Sequence, residues 1–166
     1  MHLLIQSTIH TLQNTNNLLD KLSNSNLSNC SIAPYYSSIG SHIRHILDFY
    51  DCILTNDNVI DLTARKRQKN VETNCDSALI YLNELQGKLR AIKSEYINKT
   101  VLVIDDLGLG KTEIEYTFSG LLAQANSHTI HHYAIINYIL DGLGVSFNDD
   151  TFGYNPTTPK SVTNLS

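Results

Sequence analysis

The chain has few cysteines, no long apolar run and little clustered positive charge, and each of these lacks removes a class of function. Cys30, Cys52 and Cys75 are odd in number and scattered. They make neither a paired-cysteine metal motif nor a disulfide frame, which suits a reducing, cytoplasmic setting. No stretch approaches the roughly 18 apolar residues of a membrane span, so no membrane partner is expected. Met1 to Gln6 has no basic start and no extended apolar segment, so no signal peptide is expected. Twelve Lys and Arg stand against 16 Asp and Glu, a net charge of −4, which leaves no electrostatic footprint for nucleic acid. The one basic cluster, Arg65-Lys66-Arg67 with Lys69, is short and reads as a solvated face.

What is present fits one globular domain spanning 1–166, with 42% hydrophobic and 17% charged residues. Leu4, Ile5, Thr8, Ile9, Leu12, Leu18 and Leu22 recur at helical spacing and predict a first helix over 3–22. The polar run Ser23 to Asn29 reads as a loop. A second helix is expected from about Tyr36 to Leu54, and a third from about Glu72 to Tyr96. Residues 101–104 and 113–118 have strand character and flank a glycine-containing turn, which predicts a hairpin. A fourth helix is expected from about Ser119 to Leu143. The expected fold is therefore an all-α four-helix bundle with a small β-hairpin between helices three and four. No internal repeat or interdomain linker is seen.

The chemistry concentrates in histidine. His128, His131 and His132 fall within five positions, and His128 and His132 lie one helical turn apart on one face. At about 100° per residue they fall within the apolar stripe of the fourth helix, while His131 is turned toward its edge. Two neutral imidazoles so placed can share a divalent ion. The pair lacks the glutamate of the zinc-protease helix. The second helix adds His42 and His45 on or beside its apolar face. Three imidazoles from two facing helices would leave an ion with open positions, as in a catalytic site. Helical phase alone favours His42 as the third ligand.

Asp105 to Thr112 resembles the phosphate loop of motor ATPases. That loop needs a helix N-terminus after it, whereas an alternating strand pattern follows here, so it reads as a hairpin turn. Cys52 reads as an inert thiol. Tyr50, Tyr133 and Tyr154 are packing residues by default.

Gly40 to Asp48 has the form Gly-x-His-x-Arg-His-x-Leu-Asp. Ser127 to Ala134 has the form Ser-His-Thr-x-His-His-Tyr-Ala, and Phe152 to Thr158 the form Phe-Gly-x-x-Pro-Thr-Thr. With Ile60 to Arg67 and Val71 to Asn74, these stretches resemble a branch of the DinB/YfiT-like superfamily of four-helix metalloenzymes. The resemblance covers most of the chain. It implies an up-down-down-up bundle and a three-histidine site for Zn or Ni, or Fe in some branches. It carries His128 and His132 over as ligands. It selects His45, followed by Asp48, as the third, with His42 as the alternative or as a residue orienting a ligand. It also implies a small-molecule substrate with a low-molecular-weight thiol, in transferase or hydrolase chemistry, and a homodimer. His42 and His131 are the candidate proton shuttles. The chain departs from its relatives at Asp48-Phe49-Tyr50, where they carry Asp-His-[Phe/Tyr], and at Gly120-Leu121-Leu122, where they carry Arg-Glu-Leu. Those departures keep open an alternative, a non-catalytic metal-binding, stress-response dimer.

Overall fold

Polar caps set the helix boundaries in the computed structural model of the protein, which describes residues 1–55 and 57–159. The domain expected over 1–166 thus runs past the described residues. The helices are α1 (Leu3–Leu19), α2 (Asn24–Ser28), α3 (Ile39–Ile53), α4 (Cys75–Arg90) and α5 (Phe118–Gly142). His2, Ser23, Ser38, Asn74 and Thr117 each accept a backbone N–H from the first turn that follows, satisfying an otherwise orphaned donor. The Ser23 cap turns part of the expected loop into α2. The expected third helix shortens to α4, with 3₁₀ turns at Lys69–Glu72 and Ser94–Tyr96 on either side.

The expectation of an all-α four-helix up-down-down-up bundle with an inserted hairpin is corrected. The described residues form five helices and a three-stranded mixed sheet. β2 (Thr100–Asp106) pairs antiparallel with β3 (Lys111–Thr117), from Thr100↔Thr117 to Asp106↔Lys111. β1 (Val59–Asp61) pairs parallel with β2, from Val59↔Leu102 to Asp61↔Ile104. Ile60, Val101 and Val103 point to the core and their neighbours are more exposed, the period of two that a half-covered sheet requires. In the β2–β3 turn the Asp106 carboxylate accepts the N–H groups of Gly108 and Gly110 at 2.8 and 3.2 Å. A strand follows that turn, so it has no helix N-terminus to hold phosphate.

α3 packs against α4 and α5, and α1 packs against the same two helices. Leu12, Ile43, Ile46, Leu82, Leu85, Leu122 and Ile136 are buried between them. The Tyr133 hydroxyl donates to the Thr11 carbonyl at 3.0 Å and meets Thr15 Oγ1 at 2.6 Å, tying α5 to α1. Phe152 is buried and stacks on the Tyr133 ring at 4.6 Å. Gly153, at φ +80°, runs so close to α5 that a Cβ there would lie 2.8 Å from the Ala134 Cα. Tyr133 and Ala134 therefore hold the tail. No helix among the described residues is long and apolar enough to cross a membrane.

Candidate metal centre

Two helices bring the histidines together. α3 supplies His42 and His45 from its first turns, and α5, packed against it, supplies His128, His131 and His132 from its middle. The α5 face buried in the core runs through Leu122, Ala125, Thr129, Tyr133 and Ile136. His128 and His132 flank this face and are half-buried, rather than standing at its centre as the helical phase predicts. His131 is exposed.

His45 Nε2 lies 2.8 Å from His128 Nε2, and His132 Nε2 lies 3.1 Å from the same atom. One ring nitrogen from each of His45, His128 and His132 falls within 4.8 Å of the others, a group able to hold a metal ion. Nitrogens about 2.1 Å from one ion sit roughly 3.0 Å apart at right angles and roughly 3.4 Å apart at the tetrahedral angle. Of the two contacts, one falls within that range and the other just below it, so the three side chains fit one ion with small outward movements. Burial holds all three imidazoles below their ordinary pKa. His45 falls to about 4, from burial first and the Arg65 charge next. His132 falls to about 3, from burial and then the surrounding imidazoles, and His128 is lowered by burial and His131. At neutral pH each is uncharged, the state that can donate a lone pair.

His42 stands behind His132. Its Nδ1 is 2.9 Å from His132 Nδ1, and its Nε2 is 2.8 Å from Ser37 Oγ. Two proton arrangements satisfy the contacts of His42 with Ser37 and His132. In one, the Ser37 hydroxyl donates to His42 Nε2 and His42 Nδ1–H donates to His132 Nδ1, which puts the His132 proton on Nε2, facing His128. In the other, His132 carries its proton on Nδ1 and donates to His42, whose Nε2–H then donates to Ser37. Only the second leaves His132 Nε2 free to bind a cation. His42 is thus placed to fix the tautomer of a ligand through its other nitrogen.

The same end of α3 is held by charge on its other side. Arg44 pairs with Asp48 at 2.9 Å and with Glu72 in the Lys69–Glu72 turn. The Asp48 carboxylate also accepts the Tyr81 hydroxyl at 3.3 Å. Burial raises the Asp48 pKa against the pull of Arg44. Gly40 is required here, because a Cβ would sit 2.1 Å from the Glu72 carbonyl oxygen.

The cluster opens onto a cleft of about 520 Å³ lined by His45, Phe49, Arg65, Asp105, Gln124, Ser127, His128 and His131. Phe49, Arg65, Asp105 and Gln124 were not expected there. Phe49 and Gln124 each sit one helical turn from a cluster histidine, a signal the sequence carries. Arg65 follows the 3₁₀ turn Leu62–Ala64 after β1, and Asp105 lies near the end of β2. The sheet delivers both, and no local pattern announces it. The two candidate shuttles part company, since His131 lines the cleft and His42 lies behind His132. Cys52 donates to the Asp61 carbonyl at 3.4 Å and burial pushes its thiol up to about 11, which makes it unreactive. No protein-family model matches the chain, and no curated protein matches it.

Proposed function

We propose that the protein is a metal-dependent enzyme of the DinB/YfiT-like superfamily. One divalent ion, Zn or Ni first and Fe otherwise, is held by His45, His128 and His132. The reaction is a thiol-dependent transfer or a hydrolysis on a small molecule, with a low-molecular-weight thiol as cosubstrate. The observation that carries this reading is the convergence of three uncharged imidazole nitrogens in a group whose His45 and His128 line an open cleft. A buried group of that kind without an opening would suit a structural ion; an opening lets a substrate in.

A divalent ion here supplies Lewis acidity to a substrate oxygen or sulfur. The chain's own residues do the rest. His42 orients His132. Phe49, whose ring is 5.5 Å from that of His128, walls the cleft on its apolar side. His131 stands at the mouth, stacked 6.1 Å from His128, where it can carry a proton to or from solvent. Gly120 and the buried Leu121 stand where relatives carry Arg and Glu, so that segment offers no acid or base here. Phe49, Gly120 and Leu121 favour the second reading, a non-catalytic metal-binding, stress-response protein. In either reading the protein is proposed to act in the cytoplasm as a homodimer.

Zinc-loaded protein should conjugate a small thiol to a model electrophile faster than buffer does, and His128→Ala should abolish the gain. A metal-loaded protein with no turnover across thiols, electrophiles and esters would leave only the binding reading.

A further inference from the structure

We propose that Arg65 forms an oxyanion subsite in the cleft, so that the ligand is a small molecule with a carboxylate or phosphoryl head group. The proposal deepens the enzymatic reading and rests on it only for what the ligand's other end meets. Arg65 is half-buried and lines the same cleft as His45 and His128. Its guanidinium carbon lies 5.4 Å from the centre of the Phe49 ring, and that ring in turn packs against His128. A cation held over an aromatic face keeps its position while its N–H donors stay available for a bidentate oxyanion. Arg44, Lys88 and Lys111 are all neutralised by carboxylates, whereas no ion pair among the described residues includes Arg65.

The cleft holds one carboxylate, that of Asp105, which accepts the Asp106 N–H at 2.9 Å. No ion pair joins it to Arg65, so the cleft presents a cation and an anion separately. A ligand anchored by an anionic head at Arg65 would extend its other end toward the histidine cluster. The volume of about 520 Å³ suits a small molecule.

The test is a titration of full-length protein with acetate and with inorganic phosphate, metal-free and zinc-loaded. It is read from the Arg65 Nε–H and the cleft amides by NMR. A saturable movement of the Arg65 signal is expected. Arg65→Gln should raise the anion's Kd about tenfold or more, the loss expected for a charge-assisted hydrogen bond. Arg67→Gln, which alters an exposed neighbour, should leave it unchanged. The anion that binds more tightly identifies the head group. An Arg65 signal that does not move, or an Arg65→Gln protein that binds both anions like wild type, overturns the proposal. If zinc fails to shift the imidazole signals of the cluster, the metal reading falls, and the metal-free titration still decides the role of Arg65.

Discussion

His42 decides which way the hydrogen bonds beside the cluster run. Its Nδ1 meets His132 and its Nε2 meets Ser37, so removing it frees His132 to take the tautomer that blocks its inner nitrogen. His42→Leu should therefore lower zinc affinity about 10- to 100-fold without abolishing binding. Competition against a chromophoric chelator measures this, with circular dichroism as the check on folding. Affinity equal to wild type would remove the orienting role. At this scale the sequence was informative about residue type and ambiguous about role. Helical phase favoured His42 as third ligand, yet the converging group contains His45. Phase reports which way a side chain leaves its own helix. It does not report that His132 presents two nitrogens, one toward His128 and one toward His42.

Among the elements, the approach of α3 to the Lys69–Glu72 turn fixes where His42 and His45 stand. Gly40 permits it by lacking the Cβ that would strike the Glu72 carbonyl, and the Arg44–Glu72 pair fastens it. Gly40→Ala should cost about 1–3 kcal/mol or more as an overpacked contact with backbone, which yields little. Urea unfolding of the metal-free protein tests this, and an unchanged midpoint would contradict the close approach. The long helices were legible because their apolar periods span several turns. β1 was not, because three residues carry no period and its partner β2 lies far along the chain. That omission mattered for function. Arg65 and Asp105 reach the cleft only because the sheet brings the ends of β1 and β2 to the rim formed by α3 and α5. The basic cluster that read as solvated thus contains one residue turned toward the site.

For the whole molecule, burying uncharged histidines makes stability depend on pH. Folded-state pKa values of about 4 for His45 and about 3 for His132 lie below the ordinary 6.5. Between those values the unfolded chain binds more protons, so their contribution is full above about pH 6.5 and is lost as pH falls toward 4 and below. Asp48, with its pKa raised by burial, acts in the opposite sense at the acid end. Metal-free protein should lose thermal stability steadily from pH 6.5 to 4, and His132→Leu should flatten that slope. A slope unchanged by the substitution would mean that the imidazoles are not held neutral. Added zinc should raise the melting temperature at pH 7, since it binds the folded cluster. The most direct test of the account is the metal stoichiometry of protein reconstituted with zinc and freed of excess. One equivalent per chain is predicted for wild type, with loss of binding in His45→Ala and His128→Ala and retention, at lower affinity, in His42→Leu. Wild-type protein that keeps no zinc, or a His128→Ala variant that keeps a full equivalent, would contradict it.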